Sequence, residues 1–274
     1  MIVLREDLRE VLGALSFDQF MSLSGKTWKA NPDGTRCTVE VEVGGRRFFV
    51  KRHSGVGWRE IFKNLLQFRW PAVDASAEVR ALQDLPGLGI PVPHLAAWGR
   101  EGSNPARRRS FVMTDALEHV DKLDAFCPLY FKPPLTPDRI RSKHALICKI
   151  ASLARRLHQA GLVHRDLYLC HILLDLSWES SALDRDRLSL FLADLHRVRN
   201  YAPRRQRWVI KDLAALYFSA LDLPLTRRDR LRFIRAYRGA EHWRDRLGGE
   251  ARFWQQVAAR AQAMHRRLGP KSEG

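Results

Sequence analysis

Apolar and polar positions alternate over Cys37-Thr38-Val39-Glu40-Val41-Glu42-Val43, and a strand pattern resumes over Arg46-Arg47-Phe48-Phe49-Val50-Lys51-Arg52, with Gly44-Gly45 between them. A period of two is that of a pleated strand, and paired glycines supply a tight two-residue turn, so the stretch predicts a β-hairpin. Ahead of it, Leu4, Leu8, Val11, Leu12 and Leu15 recur at helical spacing and predict one short opening helix between Leu4 and about Phe20. Behind it, Trp58, Ile61, Phe62, Leu65 and Leu66 share a helical face opposite Arg59, Glu60, Lys63, Asn64 and Gln67, and the pattern ends at Arg69-Trp70-Pro71. This amphipathic, aromatic-rich helix either packs on the protein's own core or rests against a membrane. A further helix runs from Ser76 to Leu85 and closes at Pro86-Gly87, and strands are predicted over Val92–Trp98 and Ser110–Asp115, flanking a basic loop from Arg100 to Arg109.

The second half reads differently. Residues 119 to 137 are Pro-containing and irregular, after which Thr136 caps a helix with Pro137 at its first position and Ile140, Ile147, Ile150, Ala154 and Leu157 facing inward, stopped by Gly161. Two short apolar runs follow, Ile172-Leu173-Leu174 and Leu188-Ser189-Leu190-Phe191-Leu192-Ala193, separated by a polar loop from Trp178 to Asp186. Lys211 to Phe218 is a buried-looking helix carrying one acid, Asp212, near its start; such an acid needs partners, and the backbone amides of the loop around Asp166 are candidates. Thr226-Arg227-Arg228-Asp229 opens another helix as a capping-box-like start, an Arg-rich amphipathic helix follows from about 245, and Lys271 to Gly274 is expected to fray.

Lys and Arg total 47 against 30 Asp and Glu, a net charge of +17, which implies an anionic partner: nucleic acid, an acidic membrane face or a phosphorylated glycolipid. Arginine runs such as Arg107-Arg108-Arg109 and Arg204-Arg205-Gln206-Arg207 suit bidentate phosphate contacts, with a generally basic solvated surface as the plainer reading. No window is apolar enough for a membrane span, and acids near the amino terminus argue against a signal peptide. Cys37, Cys127, Cys148 and Cys170 are scattered and read as reduced thiols; a zinc site from Cys148, His164, Cys170 and His171 lacks ligand spacing.

The chemistry centres on Val163-His164-Arg165-Asp166-Leu167-Tyr168-Leu169-Cys170-His171, a polar knot feeding a short buried strand. Asp166 is placed to accept the proton of an attacking hydroxyl, and Asp194, 28 residues on at the end of the second apolar run, brings a second carboxylate for metal and phosphate. Lys51 near the end of the hairpin either points toward nucleotide phosphates or is a solvated strand lysine, and Glu78, 27 residues later, is in reach to pair with it. The segment Leu23 to Lys29 is where a phosphate-covering loop between two strands is expected, although its single glycine, Gly25, falls short of Gly-x-Gly-x-x-Gly. The strand through Met113 and Asp115 leads into a connector near Ala116-Leu117 whose backbone amides are candidates for adenine contact.

With Lys51, Glu78, His164-Arg165-Asp166 and Asp194 in this order, the chain resembles the protein-kinase-like superfamily over nearly its whole length. More narrowly it resembles the bacterial lipopolysaccharide core heptose kinases in five blocks: Gly55 to Leu66, His164 to His171, Asp194 to Arg197, Lys211 to Tyr217 and Leu225 to Leu231. The resemblance implies an α+β, bilobal protein-kinase-like fold, with a β-rich N-lobe over 1–117 and a mainly helical C-lobe over 118–274. It implies ATP and Mg2+ as cofactors, with Asp166 catalytic, Lys51, Glu78, Met113, Asp115 and Leu117 on the nucleotide, and Asp194 and His171 on the metal. Arg165 and Asp212 are then supports of the catalytic loop. His171 stands where most kinases place a metal-binding asparagine, and His196 where they place a glycine; both departures are shared with the heptose kinases. The implied partners are the lipopolysaccharide core and lipid A glycolipid, an anionic inner-membrane face and an acidic acyl carrier protein, with nucleic acid disfavoured, at a cytoplasmic, peripheral location. A kinase of the same fold for another acceptor, or a non-catalytic binding scaffold, are the alternatives.

Overall fold

The hairpin forms where alternation places it, as strands Arg36–Val43 and Arg46–Ser54 in register from Arg36↔His53 to Val43↔Arg46, with Gly44 and Gly45 at φ 58° and 71° in the turn. Positive φ at both central positions matches the right-handed strand twist, and glycine reaches it without a Cβ clash. The structure is a computed structural model that describes residues 1–32, 34–66, 74–177, 188–200, 205–239 and 247–269. In chain order its elements begin β1 (Ile2–Leu4), α1 (Arg9–Leu12), α2 (Phe17–Ser22), β2 (Lys26–Ala30), β3 (Arg36–Val43), β4 (Arg46–Ser54), α3 (Gly57–Leu66), α4 (Ser76–Gly87), β5 (Leu95–Glu101) and β6 (Arg109–Asp115). They continue as β7 (Val120–Lys122), α5 (Leu123–Tyr130), α6 (Pro137–Gln159), β8 (Leu162–Val163), β9 (Ile172–Asp175), β10 (Leu190–Leu192), β11 (Arg199–Asn200), α7 (Arg205–Phe218), α8 (Arg227–Arg238) and α9 (Leu247–Leu268).

Two units partition these elements: Met1–Asp84, Pro93–Leu117 and Leu195–Arg197 make the first, while Leu85–Val92, Glu118–Asp194 and the residues from Val198 onward make the second. The first unit is built on a sheet of strand order β1-β5-β6-β4-β3-β2. Phe48 and Val50 of β4, Val39 and Val41 of β3, and Phe111 and Met113 of β6 project from one face into a core completed by Leu8, Leu12 and Phe20. Phe20 stacks on Phe111 at 4.6 Å between ring centroids, which fixes α2 across the sheet.

The single opening helix expected between Leu4 and Phe20 is instead divided. Ile2–Leu4 joins the sheet beside β5, and a capping box restarts the chain as α2: the Ser16 hydroxyl accepts from the Gln19 amide at 3.3 Å and the Gln19 side chain accepts from the Ser16 amide at 2.7 Å. A local cap therefore overrode the helical spacing.

The second unit is mainly helical. Thr136 caps α6 through its hydroxyl, and Leu146, Ile150, Leu153 and Leu157 line its buried face. The segment 119 to 137, expected to be irregular, contains β7 and α5, with Pro128 inside the helix. The loop predicted from Trp178 to Asp186 and the terminal residues from Lys271 lie outside the described residues. Of the arginine run at 107–109, Arg108 is bound to Asp74 at 3.0 Å and Arg109 to Asp18 at 2.8 Å and to Glu101. Only Arg107 of the three is exposed, so that run is largely structural.

Candidate functional site

Because Phe48 and Val50 face the core, the period of two turns Lys51 and His53 to the opposite face of β4. The first turn of α4 brings Glu78 there, and Lys51 Nζ lies 2.5 Å from Glu78 Oε1. The Glu78 side chain is 5% exposed and that of Lys51 30%, so this lysine is held by a buried carboxylate and is not a solvated strand lysine. His53 sits on the same face, 4% exposed, and sequence reasoning missed it. Burial pushes its imidazole down to about 4, with the Arg36 and Lys51 charges acting in the same direction and Glu78 opposing them.

Two placements differ from expectation. Gly25 does not lie in a loop between strands; it precedes β2, and a Cβ there would stand 2.0 Å from the Glu40 carbonyl oxygen. Between β2 and β3, Gly34 has φ 68° and open space around it. Met113, expected at the nucleotide, is fully buried in the core of the first unit, because β6 turns its odd-numbered apolar residues inward with Phe111. Asp115 is held on several sides: its carboxylate accepts from Arg5 at 2.8 and 3.0 Å and pairs with Arg46 at 3.5 Å, and its amide donates to the His94 carbonyl at 3.0 Å. The Ala116 amide likewise donates to the Arg47 carbonyl at 2.9 Å. Leu117 stands half-buried just beyond the strand.

In the second unit the His164-Arg165-Asp166 loop is fixed from below by Asp212 of α7. Its carboxylate is fully buried and accepts from the His164 amide at 2.6 Å and the Arg165 amide at 2.7 Å. A carboxylate only accepts, so His158 Nε2, 3.3 Å away, donates to it, and His158 Nδ1 meets the Tyr237 hydroxyl at 2.8 Å. Arg165 has φ 73° and Asp194 φ 57°, two of the three non-glycine residues in the left-handed region among the described residues. Such backbone persists only where its surroundings dictate it, and the Asp212 bond to the Arg165 amide is one such constraint.

His164 is fully buried, and its Nε2 donates to the Ala193 carbonyl at 3.0 Å, tying the loop to the residue before Asp194. Burial holds that imidazole below its ordinary pKa, and therefore neutral. His171 Nδ1 donates to the Asp166 carbonyl at 2.7 Å, which leaves Nε2 facing Asp194 Oδ2 at 3.4 Å. Burial opposes protonation of His171, but the bonds to Cys170 and the Asp166 carbonyl and the Asp194 charge outweigh it and raise its pKa. Asp166, His171 and Asp194 are thus locked together through main chain and imidazole.

Among the described residues no group of three or more His, Cys, Asp or Glu gathers as a metal cage. Magnesium is usually held by one or two carboxylates together with substrate phosphates and water. The Asp194 carboxylate, 33% exposed beside the His171 imidazole, fits that requirement, whereas the four-ligand zinc reading does not.

A pH dependence follows. His53 titrates near 4 in the folded chain and near 6.5 unfolded, so the unfolded chain takes up the proton first. Its contribution is complete above about 6.5 and is lost as pH falls toward 4, at about 1.4 kcal/mol per unit. His164 acts in the same sense; His171, whose pKa is raised, acts in the opposite one. Urea titrations should show unfolding free energy falling by about 2 kcal/mol from pH 7 to 5 on account of His53, a portion removed in His53→Gln. A wild-type slope unchanged by that substitution would contradict the assignment.

The second unit also holds a partly open apolar cavity of about 220 Å3, lined by Leu146, Ile150, Leu216, Leu223, Phe233 and Trp254 among others. Lys143 and Asp229, ion-paired at 2.9 Å, stand at its wall.

The sequence model of the lipopolysaccharide kinase (Kdo/WaaP) family matches residues 19–237. The lipopolysaccharide core heptose(I) kinase WaaP of Pseudomonas aeruginosa is 41% identical over 237 residues, 86% of this chain and 85% of its own length. The protein of the same name from Escherichia coli K12 is 35% identical over 240 residues, 87% and 88% of the two chains. A solved structure, WaaP in complex with acyl carrier protein, superposes with a TM-score of 0.76 at 34% identity, covering 97% of this chain and 99% of that one. The α+β architecture is that of this kinase-like fold. On a family match spanning most of its length, and on relatives alike nearly end to end, the chain belongs to the lipopolysaccharide kinase (Kdo/WaaP) family.

Proposed function

We propose that the chain transfers the γ-phosphoryl group of ATP to a hydroxyl of a heptose in the lipopolysaccharide inner core. The observation that carries this reading is the catalytic loop: Asp166 on a backbone pinned by the buried Asp212 and bridged by His171 to Asp194. Asp166 aligns the sugar hydroxyl and takes its proton, a role open to a carboxylate within hydrogen-bond reach of the nucleophile. Lys51, oriented by Glu78, holds the α and β phosphates. Asp194, with His171 beside it, holds Mg2+, which when bound neutralises charge on the phosphate oxygens. Gly34, exposed between β2 and β3, replaces Gly25 as the candidate phosphate-loop glycine, and the backbone at Leu117 remains the candidate for adenine.

The acceptor is anionic and lipid-borne, and a net charge of +17 complements it. The working location is therefore the inner face of the cytoplasmic membrane, with the chain peripheral to it; no described helix is long and apolar enough to cross a membrane. An acyl carrier protein is proposed as a partner. Such a protein is acidic and bears an aliphatic chain, and this chain offers both a basic surface and an apolar cavity.

The test is direct. Purified protein, ATP, Mg2+ and a core oligosaccharide with unphosphorylated heptose should yield one added phosphate on heptose by mass spectrometry. Transfer to a peptide or small alcohol with none to any heptose would overturn the acceptor assignment.

A further inference from the structure

Helix α3 carries a row of large apolar side chains on the outside of the first unit. Trp58 is 50%, Phe62 57% and Leu66 81% exposed, at i, i+4 and i+8, while Ile61 on the inner side is 5% exposed. The Trp58 and Phe62 rings stack at 5.7 Å between centroids, so the row is continuous along the helix. Arg59 and Lys63, each one residue past an aromatic, are exposed on the adjacent strip. Around the helix, the order is thus a buried edge, an exposed apolar row and a basic row.

The placement of this helix is built in. The Gly57 amide donates to the Ala106 carbonyl at 2.9 Å, and a Cβ on Gly55 would stand 2.9 Å from that oxygen and 3.1 Å from Arg107 Cα. Gly55 and Gly57 have φ 83° and 70°, so this close approach depends on glycine at a backbone conformation other residues rarely adopt. The exposed Arg107 lies at the start of the helix and extends its positive charge.

We propose that α3 is the membrane-docking surface of this protein, lying in the plane of an anionic bilayer with Trp58, Phe62 and Leu66 inserted at headgroup depth and Arg59 and Lys63 on the lipid phosphates. Ten residues are too few to span a bilayer, but an amphipathic helix with tryptophan on one side and cations alongside matches the interface. A second copy of this chain is a poorer occupant, since α3 against α3 would bring the two basic rows together. Charge complementarity selects anionic lipid. The inference rests on the proposed lipid-borne acceptor and names the surface that meets its membrane.

The full chain is tested by co-sedimentation with vesicles of phosphatidylethanolamine and phosphatidylglycerol, and with phosphatidylcholine vesicles. Wild type should bind the first and not the second. The triple variant Trp58→Ser/Phe62→Ser/Leu66→Ser should lose anionic-vesicle partitioning by about tenfold or more, and Arg59→Glu/Lys63→Glu should abolish it, both with unchanged thermal midpoints. Both variants should phosphorylate lipid-free core oligosaccharide as wild type does. Wild-type partitioning by the triple variant, or no binding by wild type, overturns the proposal. So does a triple variant that keeps vesicle binding but loses self-association or acyl carrier protein binding, which would assign the row to a protein. Absent heptose phosphorylation with the predicted partitioning would sink the kinase reading and leave the docking surface standing.

Discussion

Asp166→Asn should lower kcat for heptose phosphorylation by about a thousandfold, within the range by which a positioned proton acceptor accelerates transfer. The substitution is close to isosteric and removes only the charge and basicity of the side chain. The main-chain work of this residue is untouched: its carbonyl still accepts from His171 Nδ1 at 2.7 Å and from the Tyr168 amide at 2.9 Å. The loop should therefore keep its shape, and the thermal midpoint should stay at the wild-type value. ATP affinity should also hold, because the proposed phosphate contact is Lys51 and the proposed metal contact is Asp194. A large kcat loss with ATP binding retained separates a catalytic carboxylate from a structural one. Turnover within about tenfold of wild type would remove Asp166 from the chemistry.

How far these features could be read from residues alone depended on how local their causes are. The hairpin was legible because alternation and a glycine pair act over a few residues, and α6 because Thr136 and Pro137 announce its start. The charged helix start at Asp212 was legible as a problem needing a solution: an acid among apolar neighbours calls for buried donors, and the loop amides provide them. His158 and Tyr237, which extend that network, are 54 and 25 residues away from Asp212 in the chain and carry no local signature. Helix α5 was hidden by Pro128, which tertiary packing tolerates inside it. Met113, set at the nucleotide by resemblance alone, takes its core position from the register of β6 against its neighbours, which no local pattern announces. Gly25 was taken for a loop glycine when its role is to let β2 approach the Glu40 carbonyl.

The larger effect on stability should come from Asp212→Ala. The wild-type carboxylate is fully buried and satisfies the His164 and Arg165 amides at 2.6 and 2.7 Å. Alanine leaves both donors buried without an acceptor, each at a cost of about 1–3 kcal/mol, and takes away the partner that holds Arg165 at φ 73°. His158 Nε2 loses its acceptor in the same step. A loss of about 3–5 kcal/mol of unfolding free energy is expected, a large share of the total for a protein of ordinary stability. Asp212→Asn is the discriminating control, since one amide oxygen can serve one of the two donors while its NH2 group faces the other. It should fall between wild type and alanine in stability. Hydrogen exchange locates the effect: the His164 and Arg165 amides should exchange far faster in Asp212→Ala, while amides of the β3–β4 hairpin in the first unit should change little. Phosphoryl transfer should fall with the loop even though Asp212 touches no substrate, because Asp166 is the next residue along the backbone that Asp212 holds. Protected amides at 164 and 165 in the alanine variant would mean that some other contact fixes the loop, and that the buried acid is a tolerated cost of helix α7.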